Sequence, residues 1–147
     1  MAGRSFTFVS GAGSPLSGHL EPPEGTPRGW AIFAHCFTCG KDSRAAVHIS
    51  RALSRAGIGV LRFDFAGTGI GGGTGEPVNF ASDVEDLRAA ANAMAAAGMS
   101  PSLLVGHSLG GTAAIVAAEE LPDVAAVVTI GAPADLQHIL RFFTPRD

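Results

Sequence analysis

Residues 103–111 have the sequence Leu-Leu-Val-Gly-His-Ser-Leu-Gly-Gly, and this stretch decides the fold. A short apolar run leads into Gly-His-Ser-Leu-Gly, and an alanine-rich stretch of helical composition follows at once. The pattern predicts a strand, a sharp turn and a helix, with Ser108 at the apex of a G-x-S-x-G turn. Such a turn strains the serine backbone, and a Cβ at Gly106 or Gly110 would clash with the neighbouring chain. Ser108 is therefore a candidate nucleophile, and an ordinary glycine-flanked turn is the alternative.

A nucleophilic serine needs hydrogen-bond donors for the negative charge that develops during acyl transfer. The helix after Ser108 aims its first N–H groups and the positive end of its dipole at that position. We expect one donor to be the backbone N–H of Leu109. The other is expected from the turn after a strand at residues 30–36, and we assign it to the backbone N–H of Phe37. We interpret His35, in the same turn, as a brace that holds the loop by hydrogen bonds.

The serine also needs a base. In folds with this elbow the acid and then the histidine follow the serine along the chain. The only histidine after Ser108 is His138, which shares a predicted helical face with Asp135. His138 comes at least one strand too early for this role, so we expect the chain to lack its own acid and base. The other histidines are expected to point away from the serine or to lie on the surface: His107, His19 and His48.

Strand and helix patterns alternate along the chain. Strands are predicted at residues 5–9, 18–21, 30–36, 59–65, 102–105 and 124–130, and helices at 43–57, 80–98, 110–121 and 134–143. Asp42 or Ser43 is expected to cap the first helix, and Ser82 with Glu85 to form a capping box for the second. After an N-terminal β-hairpin, this alternation predicts an α/β fold in one domain, residues 1–147. Its sheet is mainly parallel, with helices on both faces. Ligands of such sheets gather at the carboxyl ends of the strands, where Ser108 is expected.

Composition narrows the class of protein. The chain has 147 residues, of which 46% are hydrophobic and 16% charged, and its net charge is −3. These values indicate a globular domain and give no reason to expect nucleic acid or a membrane surface as a partner. The first residues lack the apolar core of a signal peptide, which favours the cytoplasm and reduced cysteines. Because the spacing of histidines and cysteines matches no metal site, we expect neither a metal nor a cofactor.

Two further motifs have alternative interpretations. Cys36 and Cys39 follow a strand in a C-x-x-C arrangement typical of a dithiol redox centre. Packing is the favoured interpretation, because the same turn is needed for the oxyanion donor. Residues 67–72 match G-x-G-x-x-G, but no helix begins there to bind pyrophosphate. We expect these glycines to form a tight loop beside the active site, capped by Asp64.

Three blocks of sequence together resemble the α/β-hydrolase superfamily: residues 35–37, 64–69 and 106–111. The resemblance extends over residues 5–143. Residues 34–42, 61–65 and 129–133 are more narrowly similar to a hydrolase domain that precedes an OsmC-type domain in bacterial fusion proteins. That domain is similar to serine aminopeptidases and small esterases. The resemblance implies that Ser108 is the nucleophile and that Phe37 and Leu109 supply the oxyanion donors.

The resemblance also implies that the acid and the histidine lie past Asp147. The chain then corresponds to the N-terminal half of an α/β-hydrolase fold, without the last strands and the cap. The implied function is a serine hydrolase that cleaves small ester, thioester or amide bonds through an acyl-enzyme and is inactive alone. The alternatives are a non-catalytic binding or stability module, and a thiol redox module using Cys36 and Cys39. An incomplete fold would leave residues 124–130 as an exposed sheet edge, which predicts self-association.

Overall fold

The computed structural model describes residues 3–36, 40–66 and 80–135. Over these residues the chain forms one six-stranded sheet and three helices. The strands are β1 (Arg4–Val9), β2 (Pro15–Glu21), β3 (Gly29–Ala34), β4 (Ile58–Phe63), β5 (Leu103–His107) and β6 (Ala126–Ile130). The helices are α1 (Arg44–Arg55), α2 (Phe80–Ala96) and α3 (Leu109–Ala118).

The sheet has the strand order β1-β2-β4-β3-β5-β6. β1 and β2 form an antiparallel hairpin, and β2 also pairs antiparallel with β4. β4, β3, β5 and β6 are parallel to one another. The predicted α/β class, with an N-terminal hairpin and a mainly parallel sheet, is confirmed. The parallel register places Ala34 of β3 opposite Gly106 of β5, and His107 of β5 opposite Ile130 of β6. The carboxyl ends of these strands therefore lie side by side.

Helices cover both faces of the sheet. α2 and α3 lie over one face, where Leu87 and Ala114 pack with strand residues such as Ile32, Phe63 and Leu104. α1 lies over the other face, against a second cluster of buried residues: Ala31, Phe33, Val60 and Val105, with Ala46 from the helix. Successive strand residues belong to opposite clusters because side chains alternate between the two faces of a sheet.

The N-cap of α1 is Ser43 rather than Asp42. Its backbone is extended, with φ −60° and ψ 154°, and its hydroxyl accepts a hydrogen bond from the Ala46 N–H at 3.3 Å. Gly57, after the helix, has a φ of 89°, which favours glycine. The predicted bounds of this helix, residues 43–57, agree with the structure to within two residues.

The predicted bounds of the strands and helices differ from the structure by up to three residues, and one predicted cap is wrong. β2 begins at Pro15 rather than at residue 18, because Pro15 is still paired with Val9. A proline is tolerated there because the first residue of a strand need not donate to the ladder. The predicted capping box is wrong, since α2 begins at Phe80 and Ser82 lies inside the helix. β6 begins at Ala126 rather than at residue 124.

The structure describes only the first two residues of the predicted C-terminal helix. Ala134 and Asp135 are not helical, and the remainder of the predicted helix at 134–143 lies outside the described residues. None of the described helices is both long enough and apolar enough to cross a bilayer.

Candidate active site

Ser108 lies between the end of β5 and the start of α3. Its φ of 54° is positive, and no other non-glycine residue in the described chain has a positive φ. The Ser108 N–H donates to the Ile130 carbonyl at 2.8 Å, and its carbonyl accepts from the Gly111 N–H at 2.9 Å. The half-buried side chain makes no capping bond to α3. The turn thus holds the serine in a strained conformation and leaves its hydroxyl unused by the helix.

The turn depends on glycines because backbones pass at close range. A Cβ at Gly106 would lie 2.3 Å from the Gly111 Cα. A Cβ at Gly110 would lie 2.4 Å from the carbonyl oxygens of both Ala34 and His35. Real Cβ contacts are essentially never this short, so either substitution would force the backbone to move. The first turn of α3 therefore packs directly on the end of β3, as the G-x-S-x-G pattern predicted.

Leu109 is the first residue of α3 and is buried. The first N–H groups of a helix have no acceptor within the helix, and they carry the positive end of its dipole. Leu109 thus stands at the helix start that the sequence analysis expects to supply an oxyanion donor. Phe37, to which the second oxyanion donor was assigned from sequence, lies outside the described residues.

His35 is buried just after β3, with 1% of its surface exposed. Its Nε2 accepts from the Phe65 N–H at 3.3 Å, and its Nδ1 donates to the Cys36 carbonyl. Burial lowers the pKa of His35, although the Cys36 carbonyl and the Asp64 carboxylate act in the opposite direction. The ring is therefore neutral, with the proton on Nδ1. Both nitrogens are bonded to the backbone, so His35 connects the loop after β3 to the end of β4.

Asp64 is buried just after β4 and bonds to Lys41. Its carboxylate accepts from the Lys41 backbone N–H at 2.8 Å and from Lys41 Nζ at 3.2 Å. Burial works against the charged lysine, but the carboxylates of Asp42 and Asp64 raise the Lys41 pKa overall. Asp64 thus fastens β4 to the loop before α1. The glycines of residues 67–72, whose loop Asp64 is predicted to cap, lie outside the described residues.

Asp83 and Asp86 are two buried carboxyls near the start of α2 that the sequence analysis did not single out. Asp86 is 2% exposed and accepts from the Ala66 N–H at 3.0 Å. Burial raises the pKa of Asp86, and Glu85 adds to this, while the bond to Ala66 lowers it. Burial, together with the charge of Asp86, raises the pKa of Asp83 to about 7. The sequence does contain a signal for the burial of Asp83, because Asp83 is in helical phase with the apolar residues Leu87, Ala90 and Met94.

The candidates for base and acid have scattered positions. His107 is half-buried at the end of β5, Asp135 is exposed, and His138 lies outside the described residues. His19 is half-buried and bonds to Glu21 at 3.2 Å, whereas His48 is exposed. The described ranges of the chain thus do not identify a base for Ser108.

Cys36 differs from its sequence expectation. It is buried and disulfide-bonded, so the prediction of reduced cysteines is wrong for this residue. Cys39, the other member of the proposed dithiol, lies outside the described residues. Across residues 3–36, 40–66 and 80–135, no group of three or more His, Cys, Asp or Glu side chains could hold a metal ion.

Solved structures with a similar fold are described as hydrolases or esterases. The esterase domain of a Rhodothermus marinus protein is 45% identical and has a TM-score of 0.78, over 95% of this chain and 54% of that one. The α/β hydrolase GrgF from Penicillium is 22% identical with a TM-score of 0.82, over 97% and 52% of the two chains. A thermostable carboxyl esterase from Bacillus coagulans is 21% identical with a TM-score of 0.72, over 89% and 44%.

This chain thus spans about half the length of the solved structures that it matches. No curated protein matches it. The family model described as serine aminopeptidase, S33, matches residues 25–145, which include the loop after β3, the end of β4 and the elbow at Ser108. The chain belongs to this family of α/β hydrolases.

Proposed function

We propose that the chain carries the nucleophile and the oxyanion donors of a serine hydrolase that cleaves small ester, thioester or amide bonds. The observation that carries this proposal is the backbone of Ser108, which has a φ of 54° and a side chain that does not cap α3. A strained serine is retained where its geometry serves a reaction. The similarity to the Rhodothermus esterase domain and the family membership support the same chemistry.

The proposed reaction has two steps. Ser108 Oγ attacks the substrate carbonyl carbon while a base takes its proton, and the new oxyanion accepts hydrogen bonds from the N–H groups of Leu109 and Phe37. The tetrahedral intermediate then expels the alcohol, thiol or amine, which receives the proton from the base. Water attacks the acyl-enzyme by the same route and releases the carboxylic acid. No metal or cofactor enters this scheme, and the substrate is a small molecule.

The proposal assigns the base and the acid to a histidine and a carboxylate beyond Asp147. His35 is unsuited to this role, because the backbone groups of Phe65 and Cys36 occupy both ring nitrogens. The pair Asp135 and His138 is the alternative source within the chain. We also retain, as proposals based on the resemblance and the composition, an OsmC-type domain downstream and a cytoplasmic location.

Labelling with a fluorophosphonate probe tests the proposal, because the probe reacts with an activated serine hydroxyl and leaves ordinary serines unlabelled. We expect stoichiometric labelling when the chain is extended past Asp147, and no labelling in the same protein with Ser108→Ala. Residues 1–147 alone should be labelled about 10²–10⁴ times more slowly, which is the usual contribution of a general base. Gly13→Ala, in the extended protein, is the control for a general loss of stability, because Gly13 has a φ of 88°, meets nothing within 4 Å and lies in the turn between β1 and β2.

Two results would contradict the proposal. Labelling that persists in Ser108→Ala would assign the reactive group to another residue. A folded extended protein without labelling would favour the non-catalytic binding module. Equal labelling of residues 1–147 and the extended protein would contradict only the location of the base, and would point to Asp135 and His138.

A further inference from the structure

Three consecutive residues at the carboxyl end of β4 are each fastened to a different part of the molecule. The carboxylate of Asp64 accepts two bonds from Lys41, in the loop before α1. The N–H of Phe65 donates to His35, just after β3. The N–H of Ala66 donates to Asp86, in α2, at 3.0 Å. We call residues 64–66 the β4 clamp. Through it α2 is connected to the loop after β3.

The loop after β3 in turn contacts the elbow. The carbonyl oxygens of Ala34 and His35 lie so close to Gly110 that a Cβ there would be 2.4 Å from each of them. Gly110 is two residues from the nucleophile and one from Leu109, the proposed oxyanion donor. A shift of the β4 clamp that moved His35 would therefore press directly on the first turn of α3. This relay consists of buried groups in close contact, which do not move independently.

Burying the Asp86 carboxyl at this position reduces the stability of the folded chain unless hydrogen bonds compensate for it. The Asp86 side chain is 2% exposed, it lies beside the acidic residues Asp83 and Glu85, and burial raises its pKa. A buried carboxyl costs stability unless its hydrogen bonds compensate for the lost water. The bond from Ala66 is such a compensation. An apolar side chain would fill the same volume at no electrostatic cost, but it would leave the Ala66 N–H unpaired.

We propose that Asp86 is a positioning residue for the Ser108 site: through Ala66, Phe65 and His35 it fixes the distance between the loop after β3 and the first turn of α3. This inference rests on the proposed function, because it concerns how Leu109, a proposed oxyanion donor, is held beside Ser108. Asp86 itself does not contact the reacting atoms. Asp83 lies one turn earlier and is nearly as buried, but the Ala66 N–H donates to Asp86 and not to Asp83. Asp83 therefore provides a matched control.

The test compares Asp86→Ala, Asp86→Asn and Asp83→Asn, with two measurements on each. NMR of the chain records the hydrogen-exchange rate of the Ala66 N–H and the chemical shift of the Leu109 N–H. Fluorophosphonate labelling of the protein extended past Asp147 records the reactivity of Ser108. Urea denaturation establishes that each variant is folded. Asp86→Leu removes the acceptor while filling the space, and replaces Asp86→Ala if the latter does not fold.

We expect Asp86→Ala to raise the Ala66 exchange rate at least tenfold, to shift the Leu109 N–H resonance and to slow labelling at least tenfold. Asp86→Asn retains a side-chain oxygen that can accept from Ala66, so it should restore both NMR properties and labelling to within about twofold. Asp83→Asn should leave the Leu109 resonance and labelling unchanged.

An unchanged Leu109 resonance in Asp86→Ala would overturn the inference, since the bond would then hold only Ala66. The same conclusion would follow if Asp83→Asn and Asp86→Ala had equal effects, because the role would then be general stability. If the protein without substitutions is not labelled, the proposed function fails. The NMR comparison still decides whether Asp86 acts on the elbow.

Discussion

β5 and β6 are neighbours in the sheet, parallel, equally short and both apolar, yet their burial is opposite. Leu104 and Val105 of β5 are 1% and 4% exposed, whereas Val128 and Ile130 of β6 are 48% and 40% exposed. β5 is paired on both sides, with β3 and β6, and helices lie over both of its faces. In the described chain β6 is paired with β5 alone. Similar strand sequences thus contribute very different stabilisation, because burial depends on what covers a strand.

The largest effect is expected where β5 passes into α3. Gly110→Ala places a Cβ 2.4 Å from two carbonyl oxygens that belong to backbone. We expect a loss of more than about 4 kcal/mol, enough to prevent folding. Gly131→Ala, after β6, has a φ of 62° but meets nothing within 4 Å, so it should cost only about 1–2 kcal/mol. Circular dichroism and urea denaturation measure both, and similar losses would show that the elbow is not closely packed.

A change of stability with pH is expected from α2, one of the helices that cover the sheet beside β5. None is expected from β6, because β6 has no titratable side chain. Asp83 of α2 has a pKa of about 7 in the folded chain, against 3.8 for an ordinary Asp. The folded state therefore retains a proton that the unfolded state loses, and stability falls as the pH rises from about 4 to about 7. Across that window the wild-type chain should lose up to about 3–4 kcal/mol relative to Asp83→Asn.

The difference between the two proteins is the quantity to measure, by urea denaturation at a series of pH values. Burial lowers the pKa of His35, which makes both proteins less stable as the pH falls below about 6.5. This contribution cancels in the difference. A pH-independent difference would mean that the Asp83 carboxyl is ionised in the folded chain at pH 5.

Shortening one side chain in each of the two strands tests whether their difference in burial produces a difference in stability. Leu104→Ala removes a side chain that is 1% exposed and should cost about 2–3 kcal/mol. Val128→Ala, at a site that is 48% exposed, should cost less than about 0.5 kcal/mol. Both values come from denaturation midpoints. A Val128→Ala loss as large as that of Leu104→Ala would indicate that β6 is covered in solution, for instance by another copy of the chain.

The smallest change in stability is expected from Val128→Lys, which should nevertheless change association. A lysine on an open edge opposes pairing with another strand, so self-association should fall while the free energy of unfolding changes by less than about 0.5 kcal/mol. Sedimentation velocity measures the association. Ile115→Lys is the matched control, because Ile115 is 51% exposed on α3, which has no strand edge to pair. Equal effects of the two substitutions would make charge, rather than edge pairing, responsible.

The elbow could be predicted from sequence because its causes are local. Only glycines allow the close approaches around Ser108, and their spacing is enough to identify the strand, the turn and the helix. The exposure of β6 was predicted in a different way, from the resemblance, which implied that the strand beside it lies past Asp147. Residues 124–130 are as apolar as a core strand, but their exposure depends on what lies beside them. The role of Asp86 could not be predicted, because its partner is the backbone N–H of Ala66. Every residue except proline has such a group, so the sequence does not show where the bond forms.

The bond between the Ser108 N–H and the Ile130 carbonyl fastens the strained serine to the least covered strand of the sheet. If β6 detaches, Ser108 loses that restraint and can relax to an unstrained backbone. The docking of β6 on the sheet and the strained backbone conformation of Ser108 are therefore thermodynamically linked. By reciprocity, a strand that pairs with the open edge of β6 and holds it in place favours the strained conformation of Ser108.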